Sequence, residues 1–461
     1  FISMKSTALL YFVVRIIRKA YPVRVWRNYS RYVYIAVPCV LCCLLCLYFA
    51  YSKFFVSKEE VVVKTTVDDF IQGDVVIGTY IDNEYSSTIP GKDDGYVVEK
   101  VVCDNGAVGE WNNDYWGLLT TNLSKRTKCN VYFKKVVSKV PDIIAQLDTT
   151  GKCPTMNADG SVSVTGVEAT DGYLCKAKDA YGDSYYYRGN VTNNYVKFAD
   201  KYWRIVRING DGTVRVIYDG TSAHANGELS SDRQIGTSAF NSSSNDNAYV
   251  GYMYGTTGAS SYAAAHANTN DSTIKAYIDN WYKTNILGTA NEQYLADNVF
   301  CNDRSISSNK PSSSYNNLGY GTNATAYRWY YGPWSSGGYN SSMKLTCPQQ
   351  NDAFTVSDTT NGNGALTYPV GLLSTDEIVL AGGWNEKNSG YYLYSGYDFW
   401  ASSPYFFDGR SDGVRIVGGD SNADYGSYVY YTSGVRPVFN LKAEVLAQGS
   451  GTASDPYRIS S

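Results

Sequence analysis

Gly434-Val435-Arg436-Pro437-Val438-Phe439-Asn440-Leu441 is the stretch on which the fold turns. Together with Trp400, Pro404, Val414, Arg415 and Val417 it makes a frame of apolar and β-branched residues of the kind found in buried strands. Between the frame positions the alphabet changes to Tyr, Ser, Gly, Asp and Asn. Tyr391, Tyr392, Tyr394, Tyr397, Asp398, Tyr405, Asp408, Ser411, Asp420, Asn422, Asp424, Tyr425, Tyr428, Tyr430 and Tyr431 all fall here. Antibody loops use the same residues, because Tyr offers broad amphipathic contact at low entropy cost while Ser, Gly and Asn supply adaptable hydrogen bonds. A rigid frame carrying them is expected to present a ligand-binding face. The competing reading is a glycine-rich β-protein whose tyrosines only decorate its strands.

Working outward, 461 residues suffice for two or three domains, each with its own core. Apolar residues make up 44% of the chain and charged ones only 18%, so solubility rests on neutral hydrogen-bonding groups. The net charge of −3 hides an asymmetry: Lys5, Arg15, Arg18, Lys19, Arg24, Arg27 and Arg31 crowd the first 31 residues. The remainder holds 33 basic against 43 acidic residues, a net −10. Such a body lacks the basic patch that phosphate neutralisation needs, which sets nucleic-acid partners aside.

After the basic segment 1–31 comes an uncharged run, Val33 to Tyr51, long enough as a helix for one bilayer crossing. With the positive charge on its N-terminal side, residues 32–52 are expected to be a transmembrane signal anchor. That places the N-terminus in the cytoplasm and the C-terminal body outside the cell membrane. A cleaved signal peptide competes, but bulky Tyr51-Ser52-Lys53-Phe54-Phe55 offers no small-residue cleavage site. Ala8–Ile17, broken by Arg15, is too short to span and suits an interfacial helix, and Met4 is the expected start.

Cys39, Cys42, Cys43 and Cys46 lie in the apolar run, leaving Cys103, Cys129, Cys153, Cys175, Cys301 and Cys347. An even number outside the membrane suits an oxidising compartment, and spacing favours neighbours: 103–129, 153–175 and 301–347. No CxxC pair occurs among these six and the histidines are His224 and His266, so neither a metal nor another cofactor is expected.

Residues 52–62 read as a stalk, and 63–135 as a small β-domain with strand runs around 74–81, 95–103 and 128–133. Residues 136–183 are expected to be a disulfide-held connector that opens on a short helix, Val140 to Leu147. In the unit 184–445, Tyr202–Ile208 and Thr213–Tyr218 flank Asn209-Gly210-Asp211-Gly212, a hairpin signal. Ile274, Tyr277, Ile278, Trp281 and Tyr282 recur at helical spacing with Asp271 as candidate N-cap, and Ser374 or Thr375 caps a second short helix ended by glycine. The polar run 303–345 is a long loop, and 446–461 a flexible tail.

Trp203-Arg204-Ile205-Val206-Arg207, Thr346-Cys347-Pro348, the helix near Asp376-Glu377, Phe399-Trp400-Ala401-Ser402-Ser403-Pro404 and Gly434-Val435-Arg436-Pro437-Val438 occur in that order. In this the chain resembles Gram-positive gut-bacterial surface proteins whose C-terminal domain is C-type-lectin-like. That fold is shared with formylglycine-generating enzymes and with the variable proteins of diversity-generating retroelements. The resemblance covers about residues 185–445. With the N-terminal transmembrane helix and small all-β module expected above it makes an α+β chain, and the resemblance implies that its third part is a C-type-lectin-like domain whose recognition face is 391–431. It does not bring the formylglycine-generating chemistry with it, because no cysteine lies between 391 and 440.

Catalytic chemistry has little to build on. Neither histidine has a partner visible in the sequence, and each is expected to be a surface or packing residue. Asp376, Glu377 or Glu386 could serve a glycosidase, but adjacent acids at a helix start usually cap it. Asn209–Gly212 and Asn157–Gly160 lack the acidic residue that would complete a calcium loop. Two functions remain: a membrane-anchored, surface-displayed binding or adhesion protein that is not an enzyme, recognising a glycan, peptide or protein, and, as the alternative, a cell-envelope carbohydrate-active enzyme using carboxylates.

Overall fold

The computed structural model describes residues 63–64, 75–92, 94–113, 115–123, 126–164, 170–331, 342–383, 388–419 and 425–459. The chain divides into two compact units, ending and beginning at Lys135 and Val136.

The first unit contains β1 (Val76–Ile81), β2 (Glu84–Ser86), β3 (Tyr96–Cys103), β4 (Val108–Asn112), β5 (Gly117–Thr121) and β6 (Lys128–Lys135). One sheet runs β2-β1-β6-β3, and β4 and β5 belong to another. Cys103 and Cys129 face each other in the antiparallel register of β3 and β6 and are joined by a disulfide. Trp111 packs edge-on against Trp116 at 5.4 Å and Phe133 at 5.1 Å, over a core of Leu118, Val131 and Phe133.

The second unit opens with α1 (Val140–Ile144), then β7 (Tyr173–Asp179), β8 (Gly182–Arg188), β9 (Tyr195–Phe198), β10 (Lys201–Ile208), β11 (Val214–Gly220) and β12 (Thr237–Ala239). Next come α2 (Thr273–Asn285), β13 (Thr325–Ala326) and α3 (Thr375–Ala381). It closes with β14 (Phe399–Phe407), β15 (Asp412–Val417), β16 (Tyr425–Tyr428), β17 (Thr432–Gly434) and β18 (Val438–Leu441). A first sheet runs β7-β8-β10-β11-β18, with β9 beside β10; a second runs β12-β17-β14-β15-β16, with β13 beside β14. The chain passes between them at Val435-Arg436-Pro437, where proline's missing N–H costs no ladder bond. One core spans both sheets, with Trp203, Val216 and Phe439 from the first and Trp400, Val414 and Ile416 from the second. Ile274, Ile278 and Tyr282 of α2 close it.

Several expectations are corrected here. The described fold is mostly β rather than α+β: of its helices only α2 exceeds two turns. A composition rich in Tyr, Gly, Ser and Asn explains this, since these residues are middling to poor helix formers and supply strands and turns instead. The expected anchor at 32–52 lies outside the described residues, and no described helix is long and apolar enough to cross a membrane. The structure gives a single-pass membrane location no support.

The stretch 136–183, expected as a connector, contributes β7, whose Cys175 is bridged to Cys153. Asp179 explains the tight β7–β8 turn, accepting from the backbone N–H of Tyr181 at 2.8 Å and of Gly210 at 3.0 Å. The tail is docked rather than flexible: Tyr457 is buried and exchanges backbone hydrogen bonds with Tyr195 and Lys197 along β9. Ser272, not Asp271, caps α2, accepting from Lys275 N–H.

Candidate ligand-binding face

The tyrosines expected on one face divide into two groups. Tyr391, Tyr392 and Tyr394 are core residues. The cause is a cluster of buried arginines around Asp219, which receives Arg233 Nε at 2.8 Å and Arg436 Nη2 at 2.7 Å, with Arg204 at 3.8 Å. One carboxylate cannot satisfy three guanidinium groups, so their remaining N–H groups turn to backbone carbonyls. Arg233 donates to the carbonyls of Tyr392, at 2.8 Å, and of Tyr394; Arg436 donates to that of Leu393 at 2.6 Å. Every carbonyl from 392 to 394 is thereby drawn inward, and the rings follow. Arg204 is sandwiched between Tyr195 and Tyr392, 3.8 and 5.4 Å from the ring centres. Burial pushes the phenols of Tyr391 and Tyr392 well above the usual tyrosine range.

Tyr405 and Tyr428 stand on the second sheet, and Tyr430 follows β16, in a continuous chain of ring contacts that also takes in Tyr315, Tyr330, Tyr331, Phe406 and Tyr431. Tyr330 stacks on Tyr405 at 5.2 Å and Tyr428 on Tyr430 at 5.6 Å, with Phe406 edge-on between the two pairs. All eight rings are at least partly exposed, Tyr430 at 41% and Tyr431 at 53%. Exposed contiguous aromatic surface of this kind marks interaction sites more often than chance decoration.

The local sequence seats these rings. A Cβ at Gly426 would collide with the Tyr405 ring and one at Gly413 with the Phe406 ring, so glycine on β16 and β15 lets both lie against backbone. Arg415 lies under Tyr405 at 4.2 Å and donates to the carbonyls of Trp329 and Tyr330, tying the 3-10 turn Arg328–Tyr331 to β15. The preceding loop is ordered by amide side chains: Asn317 donates to the carbonyls of Ser307 and Asn309 and accepts from Ala326 N–H. Asp408 accepts through one oxygen from the N–H groups of Arg410 and Ser411, both at 2.8 Å, closing the β14–β15 turn beside the rings.

The other expected residues lie apart. Tyr397 is exposed, and Asp398 accepts from Gly419 N–H at 2.5 Å, but neither joins the ring chain among the described residues. Asp420, Asn422, Asp424 and the side chain of Tyr425 lie outside the description. Tyr315, Tyr330, Tyr331 and Phe406 were not singled out from the sequence. The available signal was the long loop 303–345 and the glycines facing aromatic residues on neighbouring strands.

The carboxylates considered for glycan hydrolysis belong to a different place. Asp376 and Glu377 begin α3, where Ser374 and Glu377 form a capping box. Burial alone would raise the Glu377 carboxyl, but Arg215 at 2.6 Å and Arg207 at 3.3 Å hold it below the ordinary glutamate value. Asp376 accepts twice from Arg328 at 2.7 Å, and Arg328 also reaches Asp303 at 2.8 Å. The recess they line has about 10 Å³ of free space, room for one water rather than a sugar ring. Glu386 lies outside the described residues. Cys301, which lines this recess, is joined to Cys347 in the third disulfide.

His224 sits between two carboxylates, Nδ1 2.8 Å from Glu228 and Nε2 2.9 Å from Asp232, and is a structural clasp. His266 is buried against Tyr262, and burial pushes its imidazole pKa down to about 2, keeping it neutral. Among the described residues no group of three or more His, Cys, Asp or Glu is arranged to hold a metal ion. Comparison with known proteins finds no family model, no curated protein and no solved structure that matches this chain.

Proposed function

We propose that the protein is a binding protein of an oxidising compartment, and that its recognition face is the aromatic surface of the second sheet. The observation that carries this reading is the unbroken contact chain of eight partly exposed rings, drawn from β14, β16, the residues after β16 and the loop 303–331. Segments far apart in sequence converge to make it, and the glycines beneath it preserve the ring positions. The disulfides support the compartment. Binding energy concentrates in a few aromatic side chains, each worth about 2 kcal/mol or more at a hot spot.

The test is to screen the full chain against arrays of glycans, peptides and proteins, then repeat every positive with Tyr430→Ala/Tyr431→Ala. The double variant is expected to lose the ligand while its melting temperature stays unchanged. A ligand retained at full affinity by that variant would refute the assignment, as would an array with no ligand dependent on these rings.

A further inference from the structure

We propose that the ligand of the aromatic face is a neutral glycan, whose sugar rings pack on the tyrosines while its hydroxyl groups donate to Asp408. This rests on the binding reading above and narrows it to one chemical class.

The first support is the amphipathic grain of the surface. Of its eight rings only Phe406 lacks a hydroxyl, so apolar ring and polar phenol alternate across the whole face. A pyranose has the same grain. Its C–H face carries slight positive charge and suits the negative face of an aromatic ring, while its hydroxyls point outward at the rim. The two exposed rings lie 4.6 Å apart, and Tyr428 is 5.6 and 5.8 Å from them, about one sugar unit.

Charge is the second support. Hydrogen bonding to Tyr431 raises the Tyr430 phenol, with a further push from the negative charge of Asp408. Burial raises Tyr315, and Asp408 again contributes. Asp408 therefore lies within electrostatic reach of both ends of the face. One Asp408 oxygen is committed to the turn amides, and the other makes no hydrogen bond to protein among the described residues. An exposed carboxylate oxygen beside aromatic rings accepts from sugar hydroxyls. Arg410, exposed on the same turn, leaves this margin without net charge, which gives a polyion of either sign no advantage. Ser312, Ser313, Ser314 and Asn316 add exposed hydroxyl and amide groups around Tyr315.

Native gels containing galactomannan, mixed-linkage β-glucan or arabinoxylan, with polygalacturonate as the anionic contrast, test this on the full chain in the presence of EDTA. At least one neutral polysaccharide is expected to retard the protein, and polygalacturonate is not. Tyr430→Ala/Tyr431→Ala should weaken that retardation roughly tenfold or more, the range of aromatic stacking. Asp408→Asn keeps the oxygen that holds the turn and replaces the free acceptor, and should cost roughly tenfold. Retardation by polygalacturonate alone, or retardation that EDTA abolishes, would overturn the inference. So would retardation that both variants retain. If no neutral polysaccharide binds while the arrays yield a peptide or protein dependent on Tyr430 and Tyr431, the glycan inference fails and the binding reading survives.

Discussion

Tyr391-Tyr392-Leu393-Tyr394 and Tyr428-Val429-Tyr430-Tyr431 are written in almost the same letters and have opposite fates. In the first, all four side chains are buried; in the second only Val429 is, and the tyrosines project outward. Ring chemistry cannot sort them, because it is the same in both. The partners of the backbone do. The carbonyls of 392, 393 and 394 are claimed by Arg233 and Arg436, and the tetrapeptide is pulled into the core. In the second, Val429 N–H donates to Asp412 and its carbonyl accepts from Asn241, which anchors one residue and leaves its neighbours to radiate. Tyrosine-rich sequence is therefore no guide to exposure by itself: in these two stretches the partners of the main chain decide which rings are buried.

The largest expected effect would break this contrast. Tyr392→Ala removes a fully buried ring and the stack on Arg204, and should destabilise the second unit by about 3–5 kcal/mol in chemical denaturation. Tyr430→Ala should stay within about 0.5 kcal/mol of the parent. Equal losses would mean that the exposed rings are structural and that the two tetrapeptides do not differ in kind.

Gly426→Ala sharpens the contrast from the surface side. The added methyl meets the Tyr405 ring, so Tyr405 must tilt or β16 must shift, an overpacking cost of about 1–3 kcal/mol. The ring chain would be interrupted at its Tyr330–Tyr405 stack, and ligand affinity should fall although no ring has been removed. Unchanged stability and affinity would show that the glycine is not what seats the ring.

What the sequence revealed and concealed follows the same division between local and distant causes. The β10–β11 hairpin was legible because its turn, Asn209–Gly212, lies between its own strands. The start of α3 was legible from Ser374 and Glu377, three residues apart. The disulfide pairs follow from proximity along the chain. The burial of Tyr391–Tyr394 was not legible, since Arg233 acts on Tyr392 from 159 residues away. Nor was the face as a whole, since Tyr315 and Tyr330 reach Tyr405 only after β13 pairs with β14. Alternation gave no help in β14, where register shifts flank Pro404 and disturb the two-residue period.

The smallest effect, a dependence on pH, should appear in the buried half alone. Arg233 belongs to the segment 221–233, which the His224 clasp holds closed through Glu228 and Asp232. Burial would lower the His224 pKa, but hydrogen bonds to Asp232 and Glu228 outweigh it and raise the imidazole above its ordinary 6.5; both carboxyls are lowered in return. The signs then fix the window. The histidine's contribution is fully present below its unfolded pKa, near 6.5, and is lost as pH rises through the higher folded value. The carboxylates contribute above their unfolded pKa values, about 4, and lose that contribution as pH falls through their lowered folded ones. The clasp is therefore strongest between about pH 4 and 6.5. Because Glu228 and Asp232 keep contact with solvent, the gain should be about 1 kcal/mol or less. Melting curves from pH 5 to 9 should show parent stability declining through the neutral range, and His224→Gln should remove that part of the slope. Tyr430→Ala should leave it intact, because the exposed rings take no part in the clasp. A slope that His224→Gln leaves unaltered would assign the titration elsewhere and separate the clasp from the buried tetrapeptide.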